Sequence, residues 1–150
     1  MPQIEREFDL DAPPMDAWEY LTDMENFSQH VPGYQDFETI DDTTSLWEIK
    51  VDLSIFSRVM TFEVEVTEEE YPRGSFSLDP QNQPGTGAGT VIFEETDDGT
   101  TRIEFRLEGE ASGKMSPFLD KVIGQALPHI SDRLIENLQS ADIETSTAEH

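Results

Sequence analysis

Few residues in this chain could carry acid–base or nucleophilic chemistry. It has three histidines, His30, His129 and His150, and no cysteine, which excludes thiolate nucleophiles, thiolate metal sites and disulfides. His129 follows Pro128 in a helical pattern and could act as an acid or base at the mouth of a cavity, but a partly exposed helix histidine is the favoured interpretation. His30 precedes a Val-Pro-Gly sequence, where it is expected to cap a short helix. Ser131 and His129 face different sides of a helix, so no nucleophilic triad is predicted.

Acidic clusters and a glycine-rich string are the other candidate motifs. Three clusters could hold Ca²⁺ loosely through carboxylate oxygens: Asp41-Asp42, Glu68-Glu69-Glu70 and Asp97-Asp98. None has the spacing of an EF-hand loop, so solvated turns are favoured. The string GTGAG, residues 85–89, lacks the Lys-Ser or Lys-Thr of a phosphate-binding loop and precedes a strand pattern, which predicts a loop before a strand. The sequence therefore predicts no catalytic residue, no metal site and no cofactor.

The strongest pattern is apolar. SLWEIKVDLSIF and VMTFEVEVTEE alternate apolar and polar residues as half-buried strands do. Large or adaptable side chains at inward positions of the predicted strands and helices form a candidate ligand cavity: Trp18, Phe27, Trp47, Ile49, Val51, Met60, Phe62, Phe93, Phe105, Leu107, Leu119, Ile123 and Leu127. An ordinary packed core is the plainer interpretation of the same residues.

The order of elements indicates an α+β fold. One strand over residues 4–10 is followed by two short helices, about six antiparallel strands and a long C-terminal helix. Pro32 and Gly33 occupy the central positions of a type II turn, and Asp98-Gly99 supplies a hairpin turn. Residues 80–89 are predicted to be a flexible loop. Only the last helix is long enough to cover a curved sheet of about seven strands, and a space between sheet and helix suits an apolar ligand.

The last helix contains Gly124 and Pro128. Proline removes one helical hydrogen bond, and its ring clashes with the carbonyl four residues earlier, which here belongs to Gly124. This spacing predicts a kink. The first turns would then tilt as a gate or hinge, or the helix would simply bend to follow a curved sheet. The sequence leaves both alternatives open.

Charge dominates the composition. The formal net charge is -24, from 33 acidic and 9 basic residues. Such self-repulsion is relieved by concentrated salt, so adaptation to a salt-rich cytoplasm is favoured over attraction to a basic partner. Nucleic-acid binding and strong membrane binding are not expected without a basic footprint. No apolar run approaches the ~20 residues of a spanning helix. A single domain over residues 1–140 and a polar, disordered tail over 141–150 are expected, with the oligomeric state left open.

Three strings carry a resemblance to a known family: FDLDAPPMDAWEYLTDMENFSQHVPG, GTGAGTVIFEE and GTTRIEFRLEGEASGKMSPFL. In order and spacing they resemble the CoxG family of carbon monoxide dehydrogenase subunits, within the helix-grip superfamily of START, polyketide cyclase and Bet v 1 domains. The chain has His30 where a cysteine is frequent in that family, and it lacks the membrane-seeking tail of some members. The resemblance implies a helix-grip fold with a hydrophobic cavity. It also implies a link to the molybdenum hydroxylase that oxidises carbon monoxide, through a lipid-like quinone.

Three functions are consistent with this interpretation. The first is a non-enzymatic carrier or adaptor that binds a lipid-like molecule, such as a prenylquinone, and docks on a molybdenum hydroxylase. The second is a cyclase, dehydratase or hydrolase that acts on a small apolar substrate in the same cavity. The third is a scaffold with a filled core. Because few inward positions are polar, the carrier is favoured over the enzyme.

Overall fold

A seven-stranded antiparallel sheet and a long C-terminal helix form the protein. The computed structural model describes residues 3–53, 56–81, 85–114 and 116–141. Within these ranges the elements are β1 (Gln3–Leu10), α1 (Pro14–Leu21), α2 (Met24–Gln29), β2 (Tyr34–Thr39), β3 (Thr44–Leu53), β4 (Phe56–Glu70), β5 (Arg73–Pro80), β6 (Gly85–Glu95), β7 (Thr101–Ala111) and α3 (Ser116–Ser140). The strand order is β1-β7-β6-β5-β4-β3-β2. The predicted α+β helix-grip fold is confirmed. Residues 142–150 of the predicted tail lie outside the described ranges.

Strand alternation places one apolar face of the sheet under α3. On β7, Ile103, Phe105 and Leu107 are buried, while the intervening residues Arg102, Glu104 and Arg106 are exposed. The same period-two pattern buries Trp47 and Ile49 on β3. Helix α3 contributes buried side chains at steps of three and four: Leu119, Val122, Ala126, Leu127, Ser131, Leu134 and Leu138. Sheet and helix therefore bury their apolar faces against each other. No helix in the described part of the chain is long and apolar enough to cross a membrane.

The glycine-rich string is part of a strand. Residues 85–89 open β6 and pair with both neighbouring strands, so the prediction of a flexible loop through these residues was wrong. Glycine lacks a Cβ, and composition alone therefore indicated a loop. The backbone groups of these residues nevertheless bond to β5 and β7, and this pairing outweighs the weak strand propensity of glycine. Residues 82–84 of the predicted loop lie outside the described residues.

The turn between α2 and β2 requires glycine. Gly33 has a φ of 88°, and the Tyr34 N–H donates to the Val31 carbonyl at 3.1 Å, as in a type II turn with Pro32 in its second position. The Lys50 N–H then donates to the Gly33 carbonyl at 2.8 Å. This turn consequently fixes where α2 ends relative to β3.

Ion pairs offset little of the negative charge. Each of five arginines pairs with an acid at the surface, where the side chains on both sides are well exposed: Arg6–Asp132, Arg73–Glu68, Arg102–Asp9, Arg106–Glu5 and Arg133–Glu136. Exposed pairs of this kind contribute ~0–1 kcal/mol each. With 33 acids in 150 residues, net repulsion remains large.

Stability is therefore expected to rise with salt. We expect the melting temperature to increase by roughly 10 °C between dilute buffer and about 1 M KCl, equivalent to ~3 kcal/mol for a domain of this size. Thermal unfolding followed by circular dichroism measures it. A variant with Glu69→Gln, Glu70→Gln and Asp97→Asn, all exposed, serves as the control and should respond less steeply. An unchanged melting temperature across this range would contradict the prediction.

Candidate ligand-binding cavity

An apolar cavity of about 210 Å³ lies between the sheet and the first half of α3. Its wall is formed by residues of α2, β3 to β7 and α3. Eleven of the thirteen predicted cavity residues line it: Phe27, Trp47, Ile49, Val51, Met60, Phe62, Phe105, Leu107, Leu119, Ile123 and Leu127. The structure thus brings together residues from distant parts of the chain on one wall.

The two remaining predicted cavity residues lie elsewhere. Phe93 lines a separate pocket of about 40 Å³, together with Phe8, Leu21 and Leu138. Trp18 lines neither space; its ring packs edge-on against Phe93 and Tyr71, with centroids 5.2 and 5.4 Å away. Both belong to an aromatic cluster at the far end of the core from the start of α3. The placement of Trp18 and Phe93 in the larger cavity was therefore wrong, because inward alternation does not say how far along a strand a space extends.

The cavity exists because small residues meet on neighbouring strands. In the register of β6 and β7, Gly85 pairs with Ala111 and Gly87 pairs with Gly109, and all four line the cavity. A Cβ built on Gly109 would lie 3.3 Å from the Cγ2 of Ile123 on α3, which shows that these positions face the helix. This block of backbone leaves space beneath α3 that larger residues would fill.

Gly89 plays a different part in the same strand. A Cβ built there would lie 2.3 Å from the ring of Phe76, its cross-strand partner on β5. The ring of Phe76 occupies the space above Gly89 and forms one wall of the cavity. The string GTGAG therefore supplies both the open part of the cavity and the seat of an aromatic side chain. The alternation of glycine in GTGAG was the sequence signal that sequence analysis missed.

The side chains facing the cavity are apolar. The polar atom of Trp47, Nε1, donates to Ser45 Oγ at 2.8 Å and is not available to a ligand. Glu108 and Glu110 border the space, but they alternate with the inward Leu107, Gly109 and Ala111, so their carboxylates point to the other face of the sheet. The cavity therefore suits a ligand, or part of one, without strong polar groups.

The histidines described by the structure lie away from the cavity. His129 is exposed on α3 and is not a lining residue. His30 is the C-terminal cap of α2, where its Nε2 lies 2.7 Å from Tyr20 Oη, and its carbonyl accepts from Asn137 Nδ2 at 2.7 Å. His30 thus ties α1, α2 and the end of α3 together, a structural role. In the described part of the chain, no group of three or more acidic or histidine side chains could hold a metal ion.

Gly124 and Pro128 lie on the solvent side of α3. Both are exposed, neither lines the cavity, and a Cβ built on Gly124 would meet nothing within 4 Å. Helix α3 is continuous from Ser116 to Ser140 with Pro128 inside it. These positions allow a bend without placing either residue in the core, and a gate remains a prediction.

Burial of His30 makes stability depend on pH. Burial lowers the pKa of His30 below its ordinary 6.5, so the folded state favours the neutral ring. The stabilisation is complete above pH 6.5 and is lost as the pH falls from there through the lowered pKa, because the unfolded chain then binds a proton more readily. We expect His30→Gln to flatten the dependence of melting temperature on pH in this window. Since acidic residues also titrate, the measured quantity is the difference between variant and wild type, and parallel curves would contradict it.

Comparison with known proteins agrees with this architecture. The CoxG family of carbon monoxide dehydrogenase subunits matches residues 7–142. A conserved protein from Geobacillus kaustophilus superposes with a TM-score of 0.78 at 16% identity, over 91% of this chain and 92% of that one. A START superfamily protein from Mycobacterium smegmatis gives 0.70 at 12% identity, over 91% and 97%.

A third solved structure is that of an enzyme. The Zhui aromatase/cyclase from a Streptomyces species gives a TM-score of 0.68 at 13% identity, over 91% of this chain and 90% of that one. At these identities the solved structures show a shared fold alone. No curated protein matches the chain.

Proposed function

The chain belongs to the CoxG family of carbon monoxide dehydrogenase subunits, and from this premise we propose that it is a non-enzymatic carrier of a lipid-like ligand. The observation that carries the proposal is the apolar cavity of about 210 Å³ between sheet and helix. Apolar side chains and bare strand backbone form its wall. A binding site of this character takes up apolar molecules because burial removes their surface from water.

The volume of the cavity limits what it holds. A cavity of ~150 Å³ takes a benzene-sized ring. A space of about 210 Å³ therefore holds one ring with a short substituent. We propose that the ring end of a prenylquinone, or a molecule of similar shape, lies inside, while the rest of its chain extends past the start of α3.

The proposed partner is a carbon monoxide dehydrogenase-type molybdenum hydroxylase, and its support is family membership. In this proposal the loaded protein acts in a salt-rich cytoplasm, as its charge suggests. A cyclase, dehydratase or hydrolase reaction in the same cavity is less well supported, since the facing side chains offer no acid or base. Pull-down with the purified hydroxylase in concentrated KCl tests the partnership, and failure of the loaded protein to bind would contradict it.

Extraction of the purified protein tests the carrier function. The protein is purified from a salt-tolerant host in concentrated KCl without detergent, extracted with organic solvent and analysed by mass spectrometry. We expect one apolar molecule in stoichiometric amount. The matched control is Ala126→Phe, which fills the cavity from α3 and should yield an empty extract. A clean extract from well-folded wild-type protein that also fails to bind a neutral apolar probe would contradict the proposal.

Pro128 is proposed to help the ligand enter and leave. Since proline removes one hydrogen bond of α3, the turns before it separate from the sheet more readily than those of an unbroken helix. We expect Pro128→Ala to slow entry and release of an apolar fluorescent probe by about tenfold with little change in affinity. Stopped-flow fluorescence measures both rates. Unchanged rates would mean that Pro128 only lets α3 follow the curved sheet.

A further inference from the structure

Negative charge is concentrated at one end of the sheet. We define the far end as the end that carries the turns β2–β3, β4–β5 and β6–β7, and the cavity end as the opposite one, where β3, β5 and β7 finish and α3 begins. The far end holds the acidic clusters Asp41-Asp42, Glu68–Glu70, Glu94-Glu95 and Asp97-Asp98. The three connections at the cavity end, residues 53–56, 81–85 and 112–115, contain no acidic residue in their sequence. In a chain with 33 acids, the two ends thus differ sharply in charge.

The lysines follow the same division. Lys114 precedes α3, Lys121 lies in its second turn, and Lys50 is near the finish of β3, so all three lysines of the chain belong to the cavity end. All are exposed, and within the described ranges none forms an ion pair. Exposed Glu110 and half-buried Asp120 lie among them. The cavity end therefore presents both signs of charge, while the far end is strongly negative.

An exposed aromatic side chain lies on the same surface. Phe118 is 45% exposed on the first turn of α3, one helical turn from Lys121, and its neighbour Leu119 lines the cavity. A large apolar residue beside lysines and a carboxylate provides an apolar centre with a polar rim, which is the anatomy of a protein interface.

We infer that the cavity end is the surface through which two copies of this chain associate. A two-fold interface brings the same patch of both copies together, so each positive group can meet a negative group of the partner only where the patch holds both signs. The far end would repel a second copy. In about 1 M KCl the Debye length is ~3 Å, which removes the long-range repulsion between two bodies of charge -24 and leaves the local contacts.

Association of this kind places the two cavities next to each other. Two spaces of about 210 Å³ each would accept a longer apolar molecule than either cavity alone. That one ligand spans both cavities rests on the proposed function. The association itself rests only on charge and exposed apolar surface.

Sedimentation velocity of the full chain tests the inference. In about 1 M KCl we expect a monomer–dimer equilibrium that shifts toward monomer in dilute buffer. Phe118→Ser should weaken the dimer by about tenfold or more, because it removes the apolar centre. The matched control is Ile40→Ser, since Ile40 is 50% exposed at the far end, and it should leave the dimer unchanged. A double change, Lys114→Glu with Lys121→Glu, should also weaken the dimer.

Three outcomes would overturn the inference. They are wild-type protein that stays monomeric at high micromolar concentration in this salt, equal loss of dimer in Ile40→Ser, and a monomer that uses Phe118 to bind vesicles of anionic phospholipid. Binding of neutral N-phenyl-1-naphthylamine is measured in the same samples. A monomer that binds this probe contradicts the association and leaves the carrier function standing. A dimer that binds no probe supports the association and contradicts the carrier function.

Discussion

Ala126→Phe is expected to abolish binding of an apolar probe while the protein stays folded. Ala126 is buried on α3 and lines the cavity, and a phenyl ring there would occupy much of the 210 Å³ that a ligand needs. A benzene-sized ring fits in ~150 Å³, so the variant supplies its own occupant. We expect the affinity for N-phenyl-1-naphthylamine to fall by about a hundredfold or more.

The stability of Ala126→Phe separates a filled cavity from an unfolded protein. Filling a void stabilises, whereas overpacking costs ~1–3 kcal/mol, so we expect a net change within about 2 kcal/mol. Gln125→Phe is the matched control, because Gln125 is the exposed neighbour on the same helix and should bind the probe normally. Ala126→Leu provides a smaller filling residue if the ring proves too large. Full probe affinity in a folded Ala126→Phe protein would show that the probe binds elsewhere.

Gly33→Ala is expected to cost about 3–5 kcal/mol of unfolding free energy. A residue with a side chain is strained by ~1–3 kcal/mol in the left-handed region, and Gly33 has a φ of 88°. In addition, a Cβ there would lie 2.1 Å from the carbonyl oxygen of Lys50. That oxygen is backbone of β3, and the same residue donates its N–H to Gly33, so neither strand nor turn moves away without loss of the bond. A loss of this size is exceptional for one substitution.

Gly99→Ala separates the two causes of this loss. Gly99 has a similar φ of 83°, but a Cβ there would meet nothing within 4 Å. It should therefore show the conformational cost alone, about 1–3 kcal/mol. Urea unfolding at constant KCl measures both variants, with an unchanged m-value required for the comparison. Equal losses in the two variants would mean that the contact with Lys50 relaxes freely.

The sequence by itself determined the local features of the fold. Period-two alternation identified the inward face of β3, β4 and β7, and the wide apolar stripe identified α3 as the covering helix. The Pro-Gly pair at residues 32–33 predicted a turn of the observed geometry. These features follow from neighbouring residues, because side-chain direction in a strand or helix repeats over a few positions.

Only the tertiary structure decided where space is left inside the protein. The cavity depends on the pairing of Gly85 with Ala111 and Gly87 with Gly109, across two strands whose register is not written in either one. It also depends on the ring of Phe76 filling the space at Gly89 but not at its neighbours. For the same reason Trp18 and Phe93 face inward yet lie outside the larger cavity. Alternation gives the direction of each side chain, whereas a cavity is the volume left after side chains from distant segments have packed.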